Sequence, residues 1–328
     1  MDEVAQIREK IDIVALISEY VPLKKAGRNF KAPCPFHTEK SPSFVVSPER
    51  QIWHCFGCQK GGDCYTFLME YERLEFPEAL RLLAKRTGIE LAQRGASKGL
   101  ISQKERLYQA NSLAKEYYHY VLTKHKAGER ARSYLKNRGI TEKVMQTFML
   151  GFSPSNGTAL SQYLTQKKRF SNEEVVAAGL AFQRGQRIQD FFWGRLMFPL
   201  IDHRDNVVGF SGRLLEPKEN VGKYVNTRET LIYHKGEHFY GLSVTKDAIR
   251  RADQAIIVEG EFDVISCFEN GIANVVGVKG TALTESQVNL LARFAQKITF
   301  CFDGDKAGQE AIKRSLAIVE KKGITPTV

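Results

Sequence analysis

The stretch AIIVEGEFDVI (residues 255–265) runs from a short apolar segment into Glu259 and Gly260, with Asp263 one turn into a helical pattern. KITFCFDGDKAG (297–308) repeats the arrangement: Asp303 and Asp305 follow an apolar run, with Gly304 between them to ease the turn. A third apolar run, NVVGV (274–278), lies between the two, and helical patterns cover 262–270, 284–295 and 308–322. Strands alternating with helices predict a parallel sheet built from βαβ units. ITPTV (324–328) reads as the start of a fourth strand. In such a sheet both acidic sets fall at the carboxyl ends of strands, where open α/β folds bind ligands. Carboxylates gathered there repel one another unless cations are present. Hard oxygen donors suit Mg²⁺ or Mn²⁺ shared with substrate phosphates, the arrangement for metal-assisted phosphoryl transfer.

Other readings of these acids fail on the residues. Taken as a Ca²⁺ loop from Asp303, position five would be Ala307 and position twelve Arg314, so the cage is not built. The chain has no phosphate-binding G-x-x-x-x-G-K-[ST] and no G-x-G-x-x-G after a strand. A lone D-x-D could merely cap a helix. Its pairing with E-G-x-x-D on a neighbouring strand gives it specificity.

The second chemical cluster is CPFHTEKSPSFVVSPERQIWHCFGC (34–58). Cys34-x2-His37 and Cys55-x2-Cys58 are paired knuckles, and PSFVVS and QIWHCF read as strands joined by the turn SPER. Two knuckles at the ends of a hairpin supply four tetrahedral ligands, the closed geometry of a structural Zn²⁺ site. His54 alternates to the opposite face from Cys55 and is set aside as a ligand. Cys64, Cys267 and Cys301 read as small buried hydrophobes. Arg28, Phe30, Lys31, Phe44 and Trp53 could present charge and stacking faces to single-stranded nucleic acid, or the aromatics could fill a small core.

Six cysteines, four of them between residues 34 and 64, fit metal binding in a reducing compartment, and the charged N-terminus has no apolar signal core, so the cytoplasm is expected. No apolar run approaches a membrane span. The net charge of +11 is uneven: residues 1–100 carry +2, 101–243 carry +9 and 244–328 are neutral. A basic middle third suits a polyanion track. Val4, Ile7, Ile11 and Val14 predict one opening helix ended by Pro22. Further helices are expected from Asp63 to about Tyr71 and from Pro77 to Gly88, and AQRGASKG (92–99) reads as a flexible linker. The expected organisation is multidomain α+β and α/β: a zinc domain (1–95), a linker (96–110), a basic mixed α/β subdomain (111–243) and a parallel-sheet subdomain (244–328).

These motifs together resemble the bacterial DnaG-type primases. CPFHTEKSPSF and WHCFGC look like that family's N-terminal zinc-ribbon domain, and VEGEFDVI and FDGDKAG resemble its Toprim motifs. GRLMFPLID (194–202), VVGFSGRLL (207–215) and KYVNTRETLIYHKGEHFYGL (223–242) are similar to its basic polymerase subdomain. The resemblance implies synthesis of short RNA primers from nucleoside triphosphates on single-stranded DNA. By motif it assigns Zn²⁺ to Cys34, His37, Cys55 and Cys58. It makes Glu259, Asp263, Asp303 and Asp305 the catalytic centre, with Mg²⁺ or Mn²⁺ on Glu259, Asp303 and Asp305. Glu259 is left open as base or ligand. Arg138, Arg195, Arg213, Lys223, Tyr224 and Lys235 match positions lining the family's template and nucleotide groove. The resemblance further implies a monomer that reaches a replicative helicase through a C-terminal domain. A later acidic pair and that domain fall beyond Val328, so the sequence is expected to be a fragment or truncated product.

Two rivals share parts of the pattern. Recombination mediators of the RecR type join a zinc module to a Toprim fold as DNA clamps, but lack the basic segment between them. A topoisomerase or nuclease could use the same carboxylates, yet no nucleophilic tyrosine is evident.

Overall fold

The computed structural model describes residues 3–327, apart from 38, 40, 73, 75, 90, 92–97, 186, 217, 218, 220, 279–281 and 323, and the side chains at 98–102. The chain divides into two compact units, Met1–Lys98 and Gly99–Val328.

In the first unit, five antiparallel strands follow one another in sequence order: Lys24–Ala26, Asn29–Ala32, Phe44–Ser47, Ile52–Cys55 and Gly61–Gly62. Helices Cys64–Glu72 and Phe76–Thr87 then cover the sheet, as the spacing predicted. Asp63 caps the first of them by accepting the Thr66 amide at 3.0 Å. The opening segment is two helices, Glu3–Lys10 and Ile13–Ser18, where the periodicity suggested one. Asp12 breaks it: its carboxylate accepts the amides of Val14 and Ala15 at 2.8 and 3.1 Å and restarts the helix.

The aromatics of this unit answer the stacking question for two residues. Phe44 and Trp53 are 0% and 1% exposed and stack at 5.2 Å, and the Trp53 indole donates to the Asp63 carbonyl. Both therefore fill the core rather than face a ligand. Burying such a pair supplies much of the stability of a unit this small.

The second unit contains a four-stranded antiparallel sheet in the order Tyr224–Asn226, Val207–Leu214, Arg195–Ile201 and Gly151–Ser153. A hairpin, Ala181–Arg184 with Arg187–Asp190, stands beside it in sequence. Helix Lys98–Thr123 runs through residues assigned to the linker, so 98–110 are helical. Leu107 and Ala110 are 1% and 0% exposed in the same core as Tyr118 and Phe210, and that burial holds the segment in place. Of AQRGASKG, residues 92–97 lie outside the described residues.

The third sheet is the expected βαβ array. Its order is Phe239–Tyr240, Val275–Val278, Gln254–Val258, Lys297–Phe300 and Thr325–Thr327. All neighbours run parallel except Phe239–Tyr240, and Thr325–Thr327 is the anticipated fourth parallel strand. Helices Glu261–Glu269, Glu285–Leu291 and Lys306–Lys321 connect the strands. Two cysteines depart from their sequence reading: Cys301 is exposed and Cys267 half-buried. Cys301 directly follows strand Lys297–Phe300, where the chain leaves the sheet for the acidic turn. Among the described residues no helix is long and apolar enough to cross a membrane.

Candidate functional site

In the first unit the hairpin brings the two knuckles together. Phe44 pairs with Cys55 and Val45 with His54, which fixes the face on which each side chain lies. The ligand atoms of Cys34, His37, Cys55 and Cys58 all lie within 4.8 Å of one another. Cys34 Sγ and Cys58 Sγ are 3.8 Å apart, and Cys55 Sγ lies 3.8 Å from His37 Nδ1. A tetrahedron with Zn–S bonds of about 2.3 Å has an edge of about 3.8 Å, so the donor set fits Zn²⁺ in type and size. His54 stays out of the cluster and meets Phe56 edge-on at 4.7 Å.

Glu39 supports this cluster, a role the knuckle spacing alone did not reveal. Its Oε1 accepts the amides of Cys34 at 2.7 Å and Ser43 at 2.9 Å. Its Oε2 accepts the Ser43 hydroxyl and lies 3.3 Å from His37 Nε2. Ser43 Oγ is in turn 3.1 Å from Cys55 Sγ. With Nε2 turned to a carboxylate, His37 offers Nδ1 to a metal, the usual outer-sphere pattern. Burial alone would raise the Cys55 thiol, but the Ser43 hydroxyl and the Cys58 amide outweigh it and lower the pKa to about 7. Burial dominates at Cys34 and pushes its thiol well up. A metal would supply the missing charge compensation there. Gly57 leaves room for the imidazole, since a Cβ at that position would come within 2.5 Å of His37 Nε2.

In the second unit the acids stand at the carboxyl ends of two adjacent parallel strands. Ile257 pairs with Phe300, so the turns after both strands are neighbours. Glu259 Oε1 accepts the Asp303 amide at 2.9 Å across that gap. Asp263 accepts the Gly260 amide at 2.9 Å and Asp305 the Gly308 amide at 2.8 Å, each closing the first turn of its helix. Gly308 is required by the packing: a Cβ there would meet the Asp303 carbonyl at 2.2 Å and Glu259 Oε1 at 3.1 Å. Among the described residues the Cys/His set is the one group of three or more donors within 4.8 Å, so the carboxylates are neighbours without forming a closed cage. Their mutual repulsion and their capping bonds account for the spread.

Of the six basic-groove candidates, one is corrected by its surroundings. Arg195 is 6% exposed, and its guanidinium donates to the carbonyls of Gly212 and Lys223 at 3.2 Å and of Gly222 at 3.0 Å. It ties a strand to its neighbouring turn and presents no charge to a ligand; burial alone lowers its pKa. Lys223, Lys235 and Arg138 are exposed, and Tyr224 is 41% exposed. Arg213 is 7% exposed and bonds the Tyr134 hydroxyl. Its guanidinium lies 5.2 Å from the ring of Tyr134, 5.6 Å from Tyr224 and 4.7 Å from Phe262. Burial raises the Tyr224 pKa in spite of the nearby Arg213 charge.

Comparison with known proteins follows the same division. A family model described as CHC2 zinc finger matches residues 1–99, the N-terminal domain of the DNA primase catalytic core matches 117–246, and a Toprim-like model matches 256–328. The crystal structure of the Aquifex aeolicus primase (zinc binding and RNA polymerase domains) is 36% identical, with a TM-score of 0.63, covering 99% of this chain and 78% of that one. The chain belongs to the DnaG-type DNA primase family. The RNA polymerase domain of the Mycobacterium tuberculosis primase is 33% identical, with a TM-score of 0.63 over 68% of this chain and 74% of that one. Among curated relatives, the DNA primase of Geobacillus stearothermophilus is 42% identical over 94% of this chain and 52% of its own length. That of Listeria monocytogenes is 39% identical over 96% and 52%. The chain thus spans about half the length of these primases.

Proposed function

We propose that this chain carries the zinc-binding and nucleotidyl-transfer parts of a DNA primase, which copies single-stranded DNA into short RNA primers from nucleoside triphosphates. The observation that carries the reading is the Glu259–Asp303 contact at the carboxyl ends of adjacent parallel strands, with arginines stacked in the same unit. Relatives reinforce it: one solved structure at 32% identity is a DnaG primase catalytic domain bound to single-stranded DNA.

Under this reading Cys34, His37, Cys55 and Cys58 bind one Zn²⁺ that holds the first unit folded, because a four-ligand site leaves no open position for substrate. Glu259, Asp303 and Asp305 hold Mg²⁺ or Mn²⁺, hard cations that neutralise triphosphate charge and activate the attacking 3′-hydroxyl when bound. The donors fit in kind: each is a carboxylate at the sheet's carboxyl end, and Asp303 and Asp305 are exposed. Asp263 acts by closing the turn that aims Glu259. Arg138, Arg213, Lys223, Tyr224 and Lys235 line the template and nucleotide path, where the four basic residues neutralise phosphate rather than read bases. The protein works as a monomer in the cytoplasm at the replication fork, with a replicative helicase as its partner.

The test is primer synthesis with labelled nucleotides, single-stranded DNA and Mg²⁺ or Mn²⁺, on this chain and on a version extended through the family's later acidic pair. RNA oligomers that vanish with Asp303→Ala are expected. DNA binding with no polymerisation by the extended version would sink the reading and favour a non-catalytic clamp.

A further inference from the structure

Phe262 is an apolar side chain set between two acids, Glu261 and Asp263, and it is 7% exposed. Its ring has two guanidiniums over it, Arg138 at 4.5 Å and Arg213 at 4.7 Å. Tyr134 repeats the pairing, with Arg138 at 5.3 Å and Arg213 at 5.2 Å, and meets Phe262 edge-on at 6.2 Å. Three separate elements therefore converge. Tyr134 and Arg138 come from helix Glu129–Asn137 and its cap, Arg213 from strand Val207–Leu214, and Phe262 from the first turn of the helix after Glu259. Arg213 Nε is buried with no hydrogen-bond partner, so the rings carry much of the work of keeping this cation in place.

We infer that Phe262 and Tyr134 are positioning residues that hold Arg138 and Arg213 together as an anion-binding pair for the triphosphate of an incoming nucleotide. The inference rests on the nucleotidyl-transfer reading above. Two like charges this close repel, and the ring quadrupoles offset that repulsion without neutralising either guanidinium, as a carboxylate would. The charge is left for phosphate. Phe262 lies in the first turn of helix Glu261–Glu269, three residues after Glu259, so the pair is held in register with that acid through a short stretch of chain. A groove residue with a free, flexible head would lose more freedom on binding; prior stacking removes that cost.

The test is equilibrium binding of inorganic tripolyphosphate and of ATP to the 328-residue chain by calorimetry, with Mg²⁺ present. Phe262→Leu keeps an apolar side chain and removes both ring contacts; binding is expected to weaken about tenfold. Phe262→Tyr restores a ring and is expected to bind within about twofold of the parent, a rescue that a role in packing alone would not give. Tyr134→Leu, at a half-buried position, removes two ring contacts together with the hydroxyl bonded to Arg213, at less risk to the fold, and should weaken binding about threefold to tenfold. Thermal unfolding and circular dichroism check that each variant is folded. Unchanged tripolyphosphate affinity in folded Phe262→Leu or Tyr134→Leu overturns this inference alone. Failure of the parent chain to bind either probe overturns the nucleotide-groove reading, and this inference with it.

Discussion

Replacing Glu39 tests how the zinc site is held, and the contacts set the size of the effect. One carboxylate accepts the Cys34 and Ser43 amides, accepts the Ser43 hydroxyl and faces His37 Nε2. Through these it touches Cys34 and His37 directly and Cys55 by way of Ser43. Glu39→Gln retains an oxygen for the two amides. Its amide nitrogen cannot accept from the Ser43 hydroxyl or from His37, so half the contacts are lost. Glu39→Ala loses all of them. Outer-sphere substitutions at metal sites cost about 10- to 100-fold in affinity, and the two variants should fall near the two ends of that range. Where zinc is saturating, a hundredfold loss removes about 2.7 kcal/mol of metal-linked stability from the first unit.

The assay is competition for Zn²⁺ against a chromogenic chelator, with metal content measured after dialysis. Cys58→Ser, which removes a donor outright, serves as the reference for a broken site. If both Glu39 variants retain zinc within about threefold of the parent while Cys58→Ser releases it, the carboxylate does not organise the ligands and the outer-sphere argument is wrong.

Other outcomes follow from single contacts. Arg195→Met should lower the thermal midpoint by removing three hydrogen bonds from a buried guanidinium to the carbonyls of Gly212, Gly222 and Lys223, at about 1–3 kcal/mol each at most, yet leave the salt dependence of DNA binding unchanged. Lys223→Ala should do the reverse, lowering the slope of log affinity against log salt by about one with little change in stability. Gly308→Ala places a methyl against the Asp303 carbonyl and Glu259; it should cost about 1–3 kcal/mol in unfolding experiments and reduce any polymerase activity more than tenfold. Glu174 is bonded by Arg106 at 2.7 and 3.0 Å, and that bond holds its carboxyl below the ordinary range. A depressed carboxyl stabilises the fold above its unfolded pKa and loses that contribution as pH falls through the folded value. The stability difference between the parent and Arg106→Gln should therefore be full near neutrality and shrink below about pH 4.5, and a gap that persists into acid would contradict it.

Much of the architecture was readable because its chemistry demands particular residues at fixed spacing. Two knuckles on a hairpin and two acidic turns after apolar runs leave few arrangements open. The groove was harder. An arginine in a basic segment can face a phosphate or reach inward to carbonyls, and only the partners decide. Arg195 and Arg213 lie on paired strands, and Arg213 pairs directly with Leu196, the residue after Arg195. Nevertheless one is spent on backbone carbonyls and the other is stacked among aromatic rings. The Tyr134–Arg213 contact spans 79 residues of sequence, which no local pattern encodes. Charge density located the segment without sorting its members.

In the zinc hairpin the alternation of side chains also decides where the aromatics lie. Strand alternation placed His54 opposite Cys55 and removed it from the ligand set. Applied one residue further, it puts Trp53 on the Cys55 face, and the pairing of Val46 with Trp53 and Phe44 with Cys55 carries Phe44 there too. The face that turns the Cys55 thiol inward is therefore the face that builds the core. Neither aromatic can offer its ring to DNA without unfolding the site. Among the described residues the most exposed aromatic at this end is Phe56, the residue after Cys55, which is 66% exposed. Phe56→Ala should weaken single-stranded DNA binding by the zinc unit by about 1–3 kcal/mol if the ring stacks on a base, whereas Trp53→Ala should instead cost about 3–5 kcal/mol of stability. Equal DNA affinity for parent and Phe56→Ala would leave this face without a stacking role.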